Sequence, residues 1–162
     1  MRYFILIVTI LISSCWVALP VFAQTSLSLD GFSSNPDGPI EMAADKLTVS
    51  QTDGSDQFEG NVLISSEDIK ILAELLVVTY LKSGGINQLR ASGGVTVVTK
   101  TESAEATTAV YDLVNQNLIL RGDVLLTQGQ NAISSDTMTI DLKTGAAIIE
   151  GRVSTTLTSE SK

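Results

Sequence analysis

A three-residue phrase, glycine followed by any residue and then valine, occurs four times along this chain at nearly constant spacing. Successive glycines of the phrase are 33, 29 and 29 residues apart. The four copies are Gly60-Asn61-Val62, Gly93-Gly94-Val95, Gly122-Asp123-Val124 and Gly151-Arg152-Val153. Self-similarity at a period of roughly 20–50 residues is typical of arrays whose units cannot bury their apolar faces alone. The chain is therefore predicted to fold as a stack of similar units.

Each unit predicts a pair of antiparallel β-strands, because apolar residues alternate with other residues on both sides of a turn. Period-two alternation places one apolar face on every strand. In the first strands the apolar pairs are Leu47/Val49, Leu76/Val78, Ala109/Tyr111 and Met138/Ile140. In the second strands the inner positions are Phe58/Gly60/Val62/Ile64, Ala91/Gly93/Val95/Val97, Leu120/Gly122/Val124/Leu126 and Ile149/Gly151/Val153/Thr155. An all-β fold built from repeated strand pairs follows.

Residues that favour tight turns separate the paired strands. They are Asp53-Gly54, Ser83-Gly84-Gly85, Asn115-Gln116-Asn117 and Thr144-Gly145. The second unit is longer than the others, and its extra residues predict a longer loop or a bulge between Lys82 and Leu89. No proline follows Pro39, so the β region contains no residue that must interrupt a ladder. An ordinary antiparallel sandwich remains the alternative to a repeat array.

The first 23 residues predict a secretory signal peptide. Arg2 precedes an apolar stretch from Tyr3 to Ile12, and Val21-Phe22-Ala23 offers a cleavage site. An uncleaved membrane anchor is the alternative, because about 20 apolar residues can span a bilayer. Cys15, the single cysteine, is interpreted as an apolar residue of this segment. The remaining chain is predicted to divide into a flexible leader over 24–39, a β domain over 40–157 and a tail over 158–162.

Composition excludes several classes of function. Without the signal segment the chain has 18 acidic and nine basic side chains, since Arg2 is the one charged residue removed. A nucleic-acid binder needs a basic surface, so that class is disfavoured. The chain contains no histidine, the commonest general base and metal ligand. Two motifs with carboxylates, the Asp53 to Glu59 turn and the equivalent pair Asp112 and Asp141, are interpreted as a solvated turn and as solubilising residues. We therefore expect no enzyme activity, metal site or cofactor.

The sequence resembles the OstA-like family of lipopolysaccharide-transport proteins, and within it the small periplasmic bridge component. The resemblance rests on Pro39-Ile40-Glu41-Met42-Ala43-Ala44-Asp45, on Phe58-Glu59-Gly60-Asn61-Val62 and on the later Gly-x-Val phrases. It implies a twisted, open β-jellyroll whose two facing sheets enclose an apolar groove for lipid acyl chains. It also implies edge-to-edge stacking with further copies and with inner-membrane and outer-membrane partners of the transport machinery.

The apolar columns supply the candidates for a lipid path along that groove. They are Met42, Phe58, Val62, Leu76, Val78, Tyr111, Leu120, Met138 and Ile140. Plain core packing is the alternative role for each of them, because core and groove share a face. The basic residues, among them Lys70, Arg90, Lys100 and Arg121, are predicted to be secondary, because acyl burial dominates such a site.

The two ends of the array are the candidates for partner contacts. The first strand, Ile40 to Val49, and the last, Ala146 to Leu157, should lie at opposite ends because units contact mainly their neighbours. The segment Thr155-Thr156-Leu157-Thr158 of the last strand has none of the prolines, bulges or inward charges that usually protect an edge. The predicted partner edges are Ile40, Met42, Thr155 and Leu157. Two alternatives to a periplasmic lipid-binding bridge are a membrane-anchored component of the same system and a structural envelope protein that binds no lipid.

Overall fold

A computed structural model describes residues 29–32, 39–50, 52 and 54–158 of this 162-residue chain. Apart from one 3₁₀ turn at Asp30–Phe32, the regular structure in this part of the chain is entirely β. The ten strands are β1 (Glu41–Ala43), β2 (Lys46–Ser50), β3 (Ser55–Ser65), β4 (Lys70–Tyr80), β5 (Ile86–Val98), β6 (Glu102–Asp112), β7 (Asn117–Gln128), β8 (Asn131–Asp141), β9 (Ala147–Glu150) and β10 (Ser154–Thr156). The all-β prediction is confirmed.

The strands form one antiparallel sheet in which neighbours in sequence are neighbours in space. The order is β1-β3-β4-β5-β6-β7-β8-β10, with β2 also paired to β3 and β9 also paired to β8. The first and last strands of the array therefore lie at its opposite ends. Each was expected as one strand, but the structure divides the first at Ala44-Asp45 and the last at Gly151-Arg152-Val153. Both breaks coincide with the Gly-x-Val row.

Every Gly-x-Val phrase lies at an irregularity of the sheet, and the first shows its form. Glu59 pairs with Leu75 and Val62 with Ala73, so β3 carries one more residue than β4 between these pairs. Gly60 and Asn61 adopt positive φ angles of 76° and 47°. An extra residue of this kind bends a strand and increases its twist. Equivalent register shifts occur on β5 and β7, which aligns the bulges across the sheet.

The bulge row divides the sheet into two halves that cover one interior. Within β4, Ile71 and Ala73 are buried before the row, and Leu76 and Val78 are buried after it. The step of three residues between Ala73 and Leu76 keeps the inward face apolar across the bend. Buried residues of both halves belong to a single hydrophobic cluster. This arrangement is the twisted, open jellyroll that the repeat and the family resemblance predict.

The hairpin turns lie where the sequence places them. Gly54, Gly84, Gln116 and Gly145 have positive φ angles in these turns. In the longer second unit, Leu81 donates its N–H to the carbonyl of Gly85, 3.0 Å away, and closes the turn. The pairs Thr79–Gln88 and Tyr80–Ile86 then skip Asn87, which marks a bulge beside the turn. The expected loop and bulge are thus both present in this unit.

Part of the segment predicted as a leader is packed against the β domain. Leu29 and Phe32 are 3% and 0% exposed and belong to the hydrophobic cluster. The backbone N–H of Gly31 points to Glu102 Oε1 at 3.4 Å. Leu29 and Phe32 pack this turn against the core, although the stretch around them is largely polar.

The predicted signal peptide over 1–23, with Cys15, and the tail beyond residue 158 lie outside the described residues. Within the described part of the chain, no helix is long and apolar enough to cross a membrane.

Candidate functional site

The nine residues predicted to line a lipid path all lie on the inward face of the jellyroll. Seven of them are between 0% and 6% exposed, and Met42 and Phe58 are half-buried and pack against the hydrophobic cluster. The buried seven are Val62, Leu76, Val78, Tyr111, Leu120, Met138 and Ile140. The structure thus brings the nine into one apolar interior, and their contact with lipid stays a prediction.

Strand pairing joins these candidates into rows that cross the sheet. Phe58 lies opposite Leu76 on one hairpin, and Leu120 lies opposite Met138 on another. Directly opposite residues of an antiparallel pair point to the same face, so each row is continuous across its strands.

Sequence reasoning missed the half of the interior that precedes the bulge row on the even-numbered strands. Its buried members include Ile71, Ala104 and Ile133. Their partners on the odd-numbered strands, Val97 and Leu126, already stood in the alternating columns of the second strands. Ile71 and Ala104 follow the same period-two signal upstream of the predicted strand starts, so extending that alternation backwards could have found them.

The interior is closed in the middle of the array and open at its ends. Leu76, Leu120 and Met138 are each 0% exposed. At the first strands, by contrast, the inward-facing Leu47 and Val49 are 52% and 63% exposed. The geometry therefore offers uncovered apolar surface where the sheet stops and a sealed core between.

Uncovered apolar surface recurs at the other end of the array. Val153 and Leu157 are 51% and 50% exposed. Both lie on the last strand or directly beside it, beyond the sealed core.

The cations predicted to be secondary lie away from the apolar interior. Lys70, Arg90 and Arg121 are exposed at positions next to inward-facing residues, on the opposite face of their strands. Lys100 lies in the β5–β6 turn and donates to Asp68 Oδ1 at 2.6 Å, and this hydrogen bond raises the pKa of Lys100. The inner face therefore presents apolar side chains rather than a phosphate site.

One polar pair lies at the mouth of the interior near the first strands. Asp56 is opposite Val78, which places its side chain on the inward face. The Tyr80 hydroxyl donates to Asp56 Oδ2 at 2.6 Å, and this hydrogen bond, followed by burial, raises the pKa of Tyr80 to about 12. Asp56 belongs to the Asp53 to Glu59 segment, which the sequence predicts to be a solvated turn. Among the described residues, no cluster of three or more metal-ligating side chains occurs.

Asp112 and Asp141 hold hairpin turns. Asp112 Oδ1 accepts a hydrogen bond from the backbone N–H of Asn115 at 2.8 Å. Asp141 Oδ1 accepts from the N–H groups of Lys143 and Thr144 at 2.8 and 3.1 Å. These backbone donors lower the pKa of both carboxyl groups. Strand β7 separates the two residues, so they serve their own turns instead of forming a catalytic pair.

The predicted partner edges lie at the two ends of the sheet. Met42 on β1 pairs with Ile64 on β3, and Thr155 on β10 pairs with Ile133 on β8. In each case the pairing uses the edge of the strand that faces the rest of the sheet. Among the described strands, none pairs with the outer edge of β1, β2, β9 or β10. Leu157 lies just beyond β10 and Ile40 just before β1. Both ends therefore present backbone groups to a further strand.

Comparison with known proteins supplies the family. Residues 41–146 match the model of the family described as LptA/(LptD N-terminal domain) LPS transport protein, where LPS is lipopolysaccharide. An uncharacterised protein of Rhizobium meliloti (strain 1021) is 26% identical over 159 residues, which cover 90% of this chain and 86% of the relative.

A solved structure shows the same fold at low sequence identity. The crystal structure of LptH, the LptA homologous periplasmic component of the lipopolysaccharide transport device of Pseudomonas aeruginosa, superimposes with a TM-score of 0.69 at 14% identity. The match covers 76% of this chain and 98% of LptH. Since the family model spans well over half of the sequence, this chain belongs to the LptA/(LptD N-terminal domain) family of lipopolysaccharide transport proteins and is a transport component rather than an enzyme.

Proposed function

We propose that this protein is a periplasmic bridge component that carries lipopolysaccharide from the inner to the outer membrane. The lipid acyl chains travel along the apolar interior, and the β domains stack edge to edge to make that path continuous. The observation that carries the proposal is the exposed apolar surface at both ends of an otherwise sealed interior. Leu47, Val49 and Val153 are all more than half exposed there.

The energetics favour acyl chains over phosphates as the recognised part of the lipid. Each methylene group moved from water into an apolar interior contributes about 0.8 kcal/mol, whereas an exposed ion pair contributes roughly 0–1 kcal/mol. The cations named above lie on the outer face or in turns, so their ion pairs with lipid phosphates cannot replace the free energy gained by burying acyl chains. Acyl chains enter by separating the two halves of the sheet, because residues such as Leu76 and Met138 are fully buried.

The route to the periplasm is export by the predicted signal peptide with cleavage after Ala23. Mass spectrometry of the protein from cell envelopes should find a mature N-terminus at Gln24. A retained N-terminal segment would instead identify the membrane-anchored component of the same transport system.

A photo-crosslinking experiment tests the lipid path. A photoreactive residue at Tyr111 or Phe58, both on the inward face, should capture lipopolysaccharide in living cells. The matched control is Thr139, which lies between the inward-facing Met138 and Ile140 and points outward. Capture at Thr139 alone would overturn the assignment of the interior as the path.

Lipid extraction separates the bridge from a purely structural envelope protein. Protein purified without detergent should carry lipopolysaccharide that mass spectrometry of the extract detects. An extract without lipopolysaccharide, together with no capture at Tyr111 or Phe58, would favour the structural role.

A further inference from the structure

The junctions between successive repeats share one register. Where one unit ends and the next begins, β3 meets β4, β5 meets β6 and β7 meets β8. At these junctions the pairs beyond the bulge row are Ser65–Lys70, Val98–Ser103 and Thr127–Ala132. Each first partner lies five residues after its bulge glycine. Since Thr156 lies five residues after Gly151, the same rule assigns it a partner on a strand that the described chain does not supply.

The rule also identifies the matching residue at the start of the array. On β4, β6 and β8 one polar side chain lies against the bulge glycine of the following strand. These side chains are Glu74, Thr107 and Asp136. They lie four residues after Lys70, Ser103 and Ala132, respectively. Asp45 occupies this place in the first unit, because a Cβ on Gly60 would lie 2.7 Å from Asp45 Oδ2. The residue four before Asp45 is Glu41.

We propose that two copies of this chain join in the register of the internal repeats, with Thr156 of one copy opposite Glu41 of the second copy. The inference rests on the proposed function, because it assumes that the β domains stack edge to edge. The continued ladder places Glu150 opposite the second copy's Lys46 and Ile149 opposite the second copy's Leu47.

The register buries the apolar surface left open at the ends. Leu47 and Val49 of the second copy, 52% and 63% exposed, become neighbours of Ile149 and Ala147 on the inward face. A slip of one residue would turn these side chains outward, since successive residues on a strand face opposite sides. The apolar face of the first strand therefore favours this alignment over odd-numbered slips.

Charges on the outer face favour the same alignment. Lys46, which donates to Glu59 at 3.0 Å within its own copy, comes between Glu59 and the neighbour's Glu150. Within each chain Arg152 donates to Asp136 at 2.9 Å through its Nε. In the proposed joint, Asp45 of the second copy lies next to Arg152 on this outer face. Opposite charges meet at two points along one edge, which a slip of two residues would misalign.

The bulges provide the third argument. The Gly151-Arg152 bulge comes to lie opposite Ala44-Asp45 of the second copy, as Gly60-Asn61 lies beside Ala73-Glu74 within the chain. The bulges on β5 and β7 face their partner strands in the same way, so this register repeats a contact that the chain already makes three times.

Disulfide formation between two singly substituted copies tests the register. In a Cys15→Ser background the introduced cysteines are the only thiols. Ile148→Cys and Thr48→Cys lie directly opposite in the proposed joint, and both leave the charged residues intact. Directly opposite residues are about 4.5–5.5 Å apart at Cα, within disulfide range. The matched control mixes Ile148→Cys with Ser50→Cys, a diagonal pair at roughly 7–8 Å.

We expect mild oxidation to cross-link Ile148→Cys with Thr48→Cys and to leave the Ile148→Cys and Ser50→Cys mixture largely monomeric. Cross-linking of the Ser50→Cys mixture instead would overturn the register while leaving edge-to-edge stacking intact. Absence of any association in sedimentation would overturn both the joint and the stacking part of the proposed function. The two failures are therefore distinguishable.

A charge-reversal pair gives a second, reversible test. Glu150→Lys should weaken self-association about three- to ten-fold, because Lys would face the neighbour's Lys46. Combining Glu150→Lys with Lys46→Glu in one chain should restore self-association, because every joint then again brings opposite charges together. Equally weak association of the single and the double variants would contradict the pairing of these two residues.

Discussion

At the scale of single residues, the bulge glycines have a requirement that the repeated phrase alone does not explain. Gly93 and Gly94 both have positive φ angles, 87° and 83°. A Cβ on Gly93 would lie 2.6 Å from the Glu74 Cβ, whereas a Cβ on Gly94 would meet nothing within 4 Å. The other bulges carry Asn61, Asp123 and Arg152 at the second position. The first position therefore needs glycine for space as well as for conformation.

These neighbouring glycines give a matched pair of variants. Gly94→Ala should lower the free energy of unfolding by about 1 kcal/mol through backbone conformation alone. Gly93→Ala should lower it by roughly 2–3 kcal/mol, because the crowded Cβ adds to the same conformational cost. Urea unfolding followed by circular dichroism measures both. Equal losses would show that contact with Glu74 contributes nothing.

Glu102, the first residue of β6, is a buried carboxylate, 4% exposed, that accepts hydrogen bonds from several side chains. Thr101 Oγ1 donates to it at 2.7 Å and Gln128 Nε2 at 3.0 Å. Thr99 Oγ1 also donates to it. Glu102→Ala should cost about 2 kcal/mol of unfolding free energy, because it leaves these donors without their acceptor. Glu102→Gln keeps an acceptor oxygen and should cost less in the same urea titration, and the reverse order would contradict this role.

At the scale of elements, hairpins are held by side chains at strand ends as well as by the ladder. Asp141 closes the β8–β9 turn through two backbone N–H groups, and Asp112 does the same at β6–β7 through Asn115. Both carboxylates have a lowered pKa for that reason. A group with a lowered pKa in the folded state stabilises the fold above its unfolded pKa, and this contribution is lost as the pH falls through the folded value.

Acid titration of Asp141→Asn checks this role. The wild-type protein should lose stability as the pH falls below about 4, the ordinary pKa of aspartate. Asp141→Asn should be less stable at pH 7 and show a shallower loss on acidification. Glu105→Gln, which removes one exposed negative charge, is the matched control for the change in net charge. Parallel profiles for wild type and Asp141→Asn would exclude Asp141 from acid sensitivity.

At the scale of the whole molecule, the array has two different ends and a closed centre. The first end presents the exposed apolar residues Leu47 and Val49, and the last presents Val153 and Leu157. Beyond β10, the Thr158 N–H donates to Asn131 Oδ1 at 2.9 Å, which keeps the chain beside β8. The first and last edges differ, so copies can add head to tail, with the last strand of one copy beside the first strand of the next copy.

Leu157→Pro tests whether the last edge is a joint. Proline removes a backbone donor next to β10 without touching the buried columns, so we expect a folded protein that still carries lipid. Sedimentation should show that its self-association is lost. Leu157→Val keeps the donor and should associate like the wild type. Unchanged association of Leu157→Pro would exclude this edge.

The sequence by itself determined the fold class, because period-two alternation and recurring glycines act locally. Leu76/Val78 and Met138/Ile140 could face only one way on a strand, so their place on the inward face was predictable. The family resemblance added the jellyroll and the transport role. The equivalence of Asp112 and Asp141 was visible as well, although their bonds to turn N–H groups were not.

Only the tertiary structure decided what depends on contacts across distant parts of the chain. Burial of Phe32 and the contacts of Glu102 join distant segments, since Gly31 lies 71 residues and Gln128 lies 26 residues from Glu102 in the sequence. These contacts leave no local pattern. The break of the first strand at Ala44-Asp45 and the crowding of Gly93 depend on the neighbouring strand. Period two fixes which way a side chain points, whereas sealing the centre and leaving both ends open requires every strand in place.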